Sequence, residues 1–432
     1  MAKTTSKIIA LALTGVCAST SANAAGWQLN DFSVSGLGRA YAGGGVVGDD
    51  YSALAYNPAG MTLGGTGMQA GISIIQLHSD VTGEYPDLAG TVRHDSTNVN
   101  VTTEVPNFFA QYKVNDRVAV GFGVYVPFGL AIEYPKDWIG TDHGIDSELA
   151  VIDYSTAVAV KATDKLSLGL GIFARNAKVD LTSSSTTPYG KFENEFDLED
   201  WGWGLHVGAM YEFTKNTRLG VSYRSRSQHQ IKGDFDLLKG APSSLGGQPT
   251  GAGTYDATLP MDAPEQVQLS GYHKLNDKIG LSAGAKWTRW TRFNALTIHT
   301  SNPSPLAQVE VAQRWKNAWN VSLGMDYYYS ENWTFRTGIG FDESPVPNSR
   351  ERTTAIADND RWEIALGASY KKRAWTFDMG YMFLYLPAYS VHNDRHNLAG
   401  TPASGISQID AKYHTTAHVL GLQVQYSFDA TP

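Results

Sequence analysis

Few of the 432 residues have the type and spacing that chemistry needs. Gly43-Gly-Gly-Val-Val-Gly48 matches the G-x-G-x-x-G spacing that cradles a dinucleotide, but no βαβ unit surrounds it. Close packing of small residues is the better use. Asp49-Asp50 offers paired carboxylates suited to a hydrogen-bonded anchor rather than a calcium loop. The eleven histidines show no metal-ligand spacing, and no G-x-S-x-G elbow occurs. The chain is therefore expected to need no metal and no cofactor, and to have no catalytic residue. Lys316 stands apart, in Trp315-Lys-Asn-Ala-Trp319. A lone ammonium in apolar surroundings attracts a carboxylate strongly, because weak screening favours charge-assisted hydrogen bonds.

The elements that would position such groups are strands. Trp375–Phe383 and His418–Phe428 alternate apolar and polar residues, so one face meets apolar surroundings and the other polar ones. Fourteen such segments recur between Gly67 and Phe428. Connections alternate short and long. Asn115-Asp116, Thr163–Lys165, Thr214–Thr217, Leu275–Lys278, Ser330–Asn332 and Lys371–Ala374 are hairpin turns. Long polar loops are expected over 79–104, 127–146, 182–201, 236–264, 291–307, 343–360 and 386–413. An even strand count with this parity predicts an all-β fold, a fourteen-stranded antiparallel transmembrane β-barrel, rather than a soluble sandwich. No later stretch is long and apolar enough for a membrane helix.

Alternation also assigns faces. Trp319, Val321, Leu323, Met325 and Tyr327 are expected to face lipid, and Lys316, Asn320, Ser322 and Asp326 the lumen. Leu219, Val221 and Tyr223 are read as outward, and Arg218, Ser222, Arg224 and Arg226 as inward. Trp333, Trp362 and Trp375 fit interfacial belts.

Residues 1–24 read as a secretory signal: Lys3 and Lys7, a short apolar core, and Ala22-Asn-Ala24 as cleavage site. Cys17, the single cysteine, leaves with it. Residues 67–428 are the barrel and 429–432 a short extension. Residues 25–66 fit no strand and are read as a plug in the lumen. An acidic chain, net charge -8, without a basic block argues against nucleic acid. The expected surroundings are outer-membrane lipid and lipopolysaccharide.

The N-terminal segment resembles the hatch of the FadL/TodX family. The likeness rests on Gly36-Leu-Gly-Arg-Ala-Tyr41, Asp49-Asp50 and Asn57-Pro-Ala-Gly-Met61, with Ala25-Gly-Trp-Gln-Leu-Asn30 similar to the mature N-terminus. Asn332–Pro347 resembles the family's most recognisable barrel stretch. The resemblance implies a monomeric, bacterial outer-membrane transporter of long-chain fatty acids, or of aromatic or aliphatic hydrocarbons. Ligand would be held in a greasy pocket and released sideways through a gap at strand three. A general porin and an outer-membrane lipase are the more distant alternatives.

The resemblance also nominates residues. Lys316 matches a lysine associated with the ligand head group. Ala177–Leu181 lacks the family's arginine late in strand five, and Arg175 or Lys178 is the candidate to replace it. Trp27 would reach the ligand. Pro127 and Gly129 would break strand three near Asn57, Pro58 and Ala59. Pro127 lacks a ladder N–H and Gly129 permits a kink.

Overall fold

The structure is a computed structural model, and it describes residues 26–86, 91–138, 140–187, 190–245, 248–302, 308–356, 358–393 and 409–429. The expected signal peptide and residues 430–432 of the extension lie outside them. Fourteen antiparallel staves run in chain order. They are β1 (Gly67–Pro86), β2 (Val92–Lys113), β3 (Val118–Glu133), β4 (Asp146–Lys161), β5 (Leu166–Thr187) and β6 (Gly190–Thr214). β7 comprises Thr217–Arg224 and Ser227–Lys239, and β8 Gly253–Ala263 and Gln266–Lys274. β9 comprises Ile279–Thr288 and Ala295–Thr300, and β10 Gln308–Ala312 and Ala318–Tyr328. β11 (Trp333–Asp342), β12 (Arg361–Lys372), β13 (Trp375–Asn393) and β14 (Ile409–Ser427) complete the wall. Pairing of β14 with β1, from Gly67↔Ser427 to Glu84↔Asp410, closes the barrel.

The turns hold for local reasons. Asn115 Oδ1 accepts from the N–H groups of Arg117 and Val118, and Asn276 Oδ1 from those of Lys278 and Ile279. Ser330 Oγ accepts in the same way from Asn332 and Trp333. Each side chain replaces a backbone acceptor in a tight reversal. At the opposite end several of the expected loops are strand, whereas 343–360 is loop as expected and much of 386–413 lies outside the described residues. β1 and β2 continue to Pro86 and Val92, and β5 and β6 to Thr187 and Gly190. Polar residues on both faces, as in Arg93–Asn98, hide a strand from an apolar–polar pattern.

Leu168, Leu170, Ile172, Leu219, Val221 and Leu323 are exposed on the outer wall, while Gln69, Ser155, Ser222, Asp326 and Gln423 are buried inside. What buries them is the N-terminal segment. It contains α1 (Val34–Leu37), capped by Ser33, α2 (Ala53–Tyr56), and a 3₁₀ turn, Pro58–Leu63, capped by Asn57. Arg39 bridges Asp49 and Asp326 at 2.7 and 2.8 Å, and Arg336 reaches the same two carboxylates at 3.0 Å each. Gln111 Nε2 donates to the Met61 carbonyl at 2.9 Å. Gly60 packs so closely that a Cβ there would lie 1.8 Å from the Gly45 carbonyl oxygen. These ion pairs and hydrogen bonds offset part of the cost of burying polar groups on both sides.

Candidate functional site: an apolar cavity beside a break in the wall

β3 carries an irregularity. Tyr125 pairs with Asp153, but the next pair is Phe128↔Val151. Three steps on β3 oppose two on β4, a one-residue bulge. On its other edge β3 pairs with β2 from Ala119↔Lys113 to Val124↔Phe108, where the ladder ends. Pro106 and Pro127 flank this end, and neither has an N–H to donate. Residues 27–29 take up the vacated edge. Gly129 N–H donates to the Trp27 carbonyl at 2.7 Å, and Leu29 N–H to that of Pro127 at 2.9 Å. Pro127 and Gly129 therefore sit at a real break. Asn57, Pro58 and Ala59 do not join them there. Asn57 Nδ2 donates to the carbonyls of Ala209 and Val221 on β6 and β7, at 3.1 and 3.3 Å, and Pro58–Ala59 packs against Gly169 of β5. The small residues of β5–β7 accept that turn, whereas Trp27–Leu29 matches the break by backbone pairing.

Beside Trp27 lies a narrow apolar cavity of about 50 Å³. Leu130, Leu149, Val179, Leu259 and Phe293 supply apolar walls, and Ser147, Gln313 and Thr353 polar points. Glu148 is the charged residue on the wall, and no lysine or arginine is among the described residues lining it. Trp27 forms its floor, with ring centroids 4.9 Å from Phe128 and 4.8 Å from Trp290. The backbone N–H of Gly26 donates to Asp358 Oδ2 at 3.0 Å, tying this floor to the β11–β12 connection. Burial pushes the Asp358 carboxyl above its ordinary value, against the pull of Arg361 and the Gly26 N–H.

Arg175 lies behind Phe128, its guanidinium carbon 4.9 Å from the ring centroid. It is fully buried and grips Asp153 with two bonds, of 2.6 and 2.9 Å. Arg224 takes the same carboxylate at 2.5 Å and donates to the Tyr125 hydroxyl. Two guanidiniums thus share one carboxylate next to the bulge. Composition and spacing do not single out Asp153 or Phe128; the resemblance nominated Arg175, and parity placed Arg224 inward. Lys178 is not part of it, being half exposed between Asp180 and Asp197.

The expected roles of Lys316 and Arg226 need correction. Trp315 is buried, its ring 5.1 Å from Trp290, while Lys316 is 48% exposed and paired with Glu343 at 2.7 Å. Residues 313–317 interrupt β10, and Arg314 adopts φ 47°. That turn reverses the parity read back from Trp319. Arg226 falls in the interruption of β7 and pairs with outward Asp262 instead of facing the lumen.

A family model described as outer membrane protein transport protein (OMPP1/FadL/TodX) matches residues 15–428. The chain belongs to this family. It is 30% identical over 413 residues to a long-chain fatty acid transport protein of Escherichia coli strain K12, covering 87% of this chain and 91% of that one. It is 31% identical over 464 residues to outer membrane protein P1 of Haemophilus influenzae, covering 97% and 98%. Among solved structures, a Pseudomonas aeruginosa FadL homologue superposes with TM-score 0.81 at 22% identity, covering 94% of this chain and 100% of that one. The Pseudomonas putida toluene transporter TodX gives 0.66 at 15% identity, covering 94% and 100%. These structural likenesses establish the shared barrel. As a member of the family the protein resides in the outer membrane, crosses it as a barrel, and serves transport.

Proposed function

We propose that this protein admits long-chain fatty acids by passive diffusion, through a barrel plugged by residues 25–66, as a monomer. The observation that carries this reading is the seam between Trp27–Leu29 and the β3 break. Two backbone hydrogen bonds hold an apolar cavity shut at the one edge where β2 and β3 have separated. Displacing Trp27 joins the cavity to that edge, and hence to the bilayer. Each methylene taken from water contributes about 0.8 kcal/mol, so a long chain partitions into the cavity without nucleotide or proton supply. Arg175 is the proposed head-group cation. With Arg224 it leaves one positive charge in excess over Asp153, behind the ring that Trp27 packs against.

A second reading, a hydrocarbon transporter, draws on the absence of lysine and arginine from the described cavity lining. Uptake of a labelled long-chain fatty acid and of an alkane of equal length separates the two, in cells where this chain is the sole transporter. Saturable entry of the acid, with Arg175→Met slowing the acid alone, supports the first reading. Alkane entry without acid entry replaces it with the second.

A further inference from the structure

The interruptions of β7, β8 and β9 fall side by side, and on the outer wall they gather arginines. Arg226 lies in the first, Glu265 in the second, and Arg289 and Arg292 in the third. Arg226 pairs with Asp262 at 3.1 Å. Arg289 and Arg292 share Glu265, at 2.9 and 3.1 Å. The three arginine side chains are 39%, 47% and 32% exposed. Three guanidiniums therefore meet two carboxylates. Asp200, one stave away, is engaged by the Gln230 N–H at 2.7 Å. A guanidinium carries five N–H donors, so each retains several for another partner.

Register fixes their height. Tyr223, Val267, Trp287 and Trp319 form one cross-strand row, with Tyr223 and Trp319 exposed on the outer face; exposed Trp203 and Trp201 stand further along β6, just past the level of Arg226, so the aromatic edge slants across the tilted staves. Such a row marks the edge of the bilayer. On one side of it lie exposed Leu219, Val221, Leu269 and Leu281. On the other side, three residues past Tyr223 and two past Trp287, lie Arg226 and Arg289. This is the end with the long connections, which in such barrels faces outward from the cell. Lys316 extends the cations by one stave, beside Asn317, whose Oδ1 accepts from the Thr291 hydroxyl at 3.1 Å.

We propose that Arg226, Arg289 and Arg292 dock the phosphates of an outer-leaflet saccharolipid, the lipid A part of lipopolysaccharide, whose acyl chains lie along β7–β9. Arginine matches phosphate with paired hydrogen bonds, and basic groups beside a membrane edge attract anionic head groups. A row of cations running from Arg226 to Lys316 suits a head group with two phosphates better than one with a single phosphate.

The test is native mass spectrometry of the mature, folded barrel in detergent. It is titrated with bis-phosphorylated lipid A, monophosphoryl lipid A, phosphatidylglycerol or inorganic phosphate. The bis-phosphorylated form binds best, and free phosphate at equal concentration does not displace it. R226Q/R289Q/R292Q weakens binding by about tenfold or more, the loss of roughly one charge-assisted bond. Wild-type binding by that variant, or phosphatidylglycerol binding as tightly as lipid A, overturns the proposal. Heat-modifiable gel mobility reports whether the triple variant folds. Should it not, Arg289→Gln alone carries the same comparison, and undiminished lipid A binding by it is equally fatal. Fatty-acid uptake, measured in parallel, stays unchanged, so this site and the transport reading fail separately.

Discussion

The Gly129 N–H donates to the carbonyl of Trp27 at 2.7 Å, across the place where β2 has let go of β3. A residue near the start of the chain thus completes a wall it does not belong to. The bond is one of two backbone hydrogen bonds across that edge, and a bond of this kind contributes only about 0.5–1.5 kcal/mol net.

Gly129→Pro removes that donor. The Leu29 amide, bonded to Pro127, is then expected to exchange with solvent up to about tenfold faster than in the parent, as the N-terminal strand opens more often. Hydrogen exchange read by mass spectrometry on peptides spanning residues 26–33 measures it. Unchanged exchange means that the seam is held from elsewhere.

Arg175→Met is expected to lower affinity for a long-chain fatty acid by about 1.5–3 kcal/mol, the range for bonds to a charged group. An alkane of equal length is expected to bind as before. Lys316→Met is the contrasting variant. Its ammonium is exposed and paired with Glu343 outside the cavity, so both ligands should bind it normally. Tryptophan fluorescence, dominated near the cavity by Trp27, Trp290 and Trp315, reports the titrations. An acid-selective loss in the lysine variant alone would return the head group to Lys316.

Gly60→Ala drives a methyl into the Gly45 carbonyl. The backbone cannot yield by rotating a side chain, so the turn that Asn57 caps should be displaced while the staves persist. Planar-bilayer recordings are expected to show larger single-channel conductance than the parent at unchanged heat-modifiable mobility. Identical conductance would argue that residues 25–66 do not obstruct the pore.

Trp27→Ala enlarges the cavity and removes the packing on Phe128 and Trp290. A loss of stability of about 3–5 kcal/mol is expected for the N-terminal segment, the cost of truncating a buried aromatic. Limited proteolysis within residues 26–66, compared with the intact parent, provides the measure.

Much of this was legible in the chain. Two-residue alternation and the parity of the turns gave the barrel, and the proline and glycine at 127 and 129 gave the break. The errors share one cause. Parity can be carried along a strand only while the strand is continuous, and β7 to β10 are each interrupted. Arg226 and Lys316 lie within interruptions, so their inward reading inherited a register that had already been reset. Asp153 escaped notice for another reason. Its value lies in two arginines from β5 and β7, and nothing local to β4 announces partners 22 and 71 residues away.

The N–H of Val34 ends on Gln423 Oε1, 3.1 Å away in space and 389 positions along the chain. The first part of the described chain to be made thus bonds to the stave made last. Nor does Arg39 find both its carboxylates until β10 exists. Long-range contacts of this kind come late in folding, because the intervening chain must be ordered before they repay its lost freedom. Insertion of the staves and seating of residues 26–66 are consequently one event seen from two sides. A chain cut short before β14 lacks not only its closing seam but also the acceptor for Val34, so a half-built wall cannot fully seat the segment inside it.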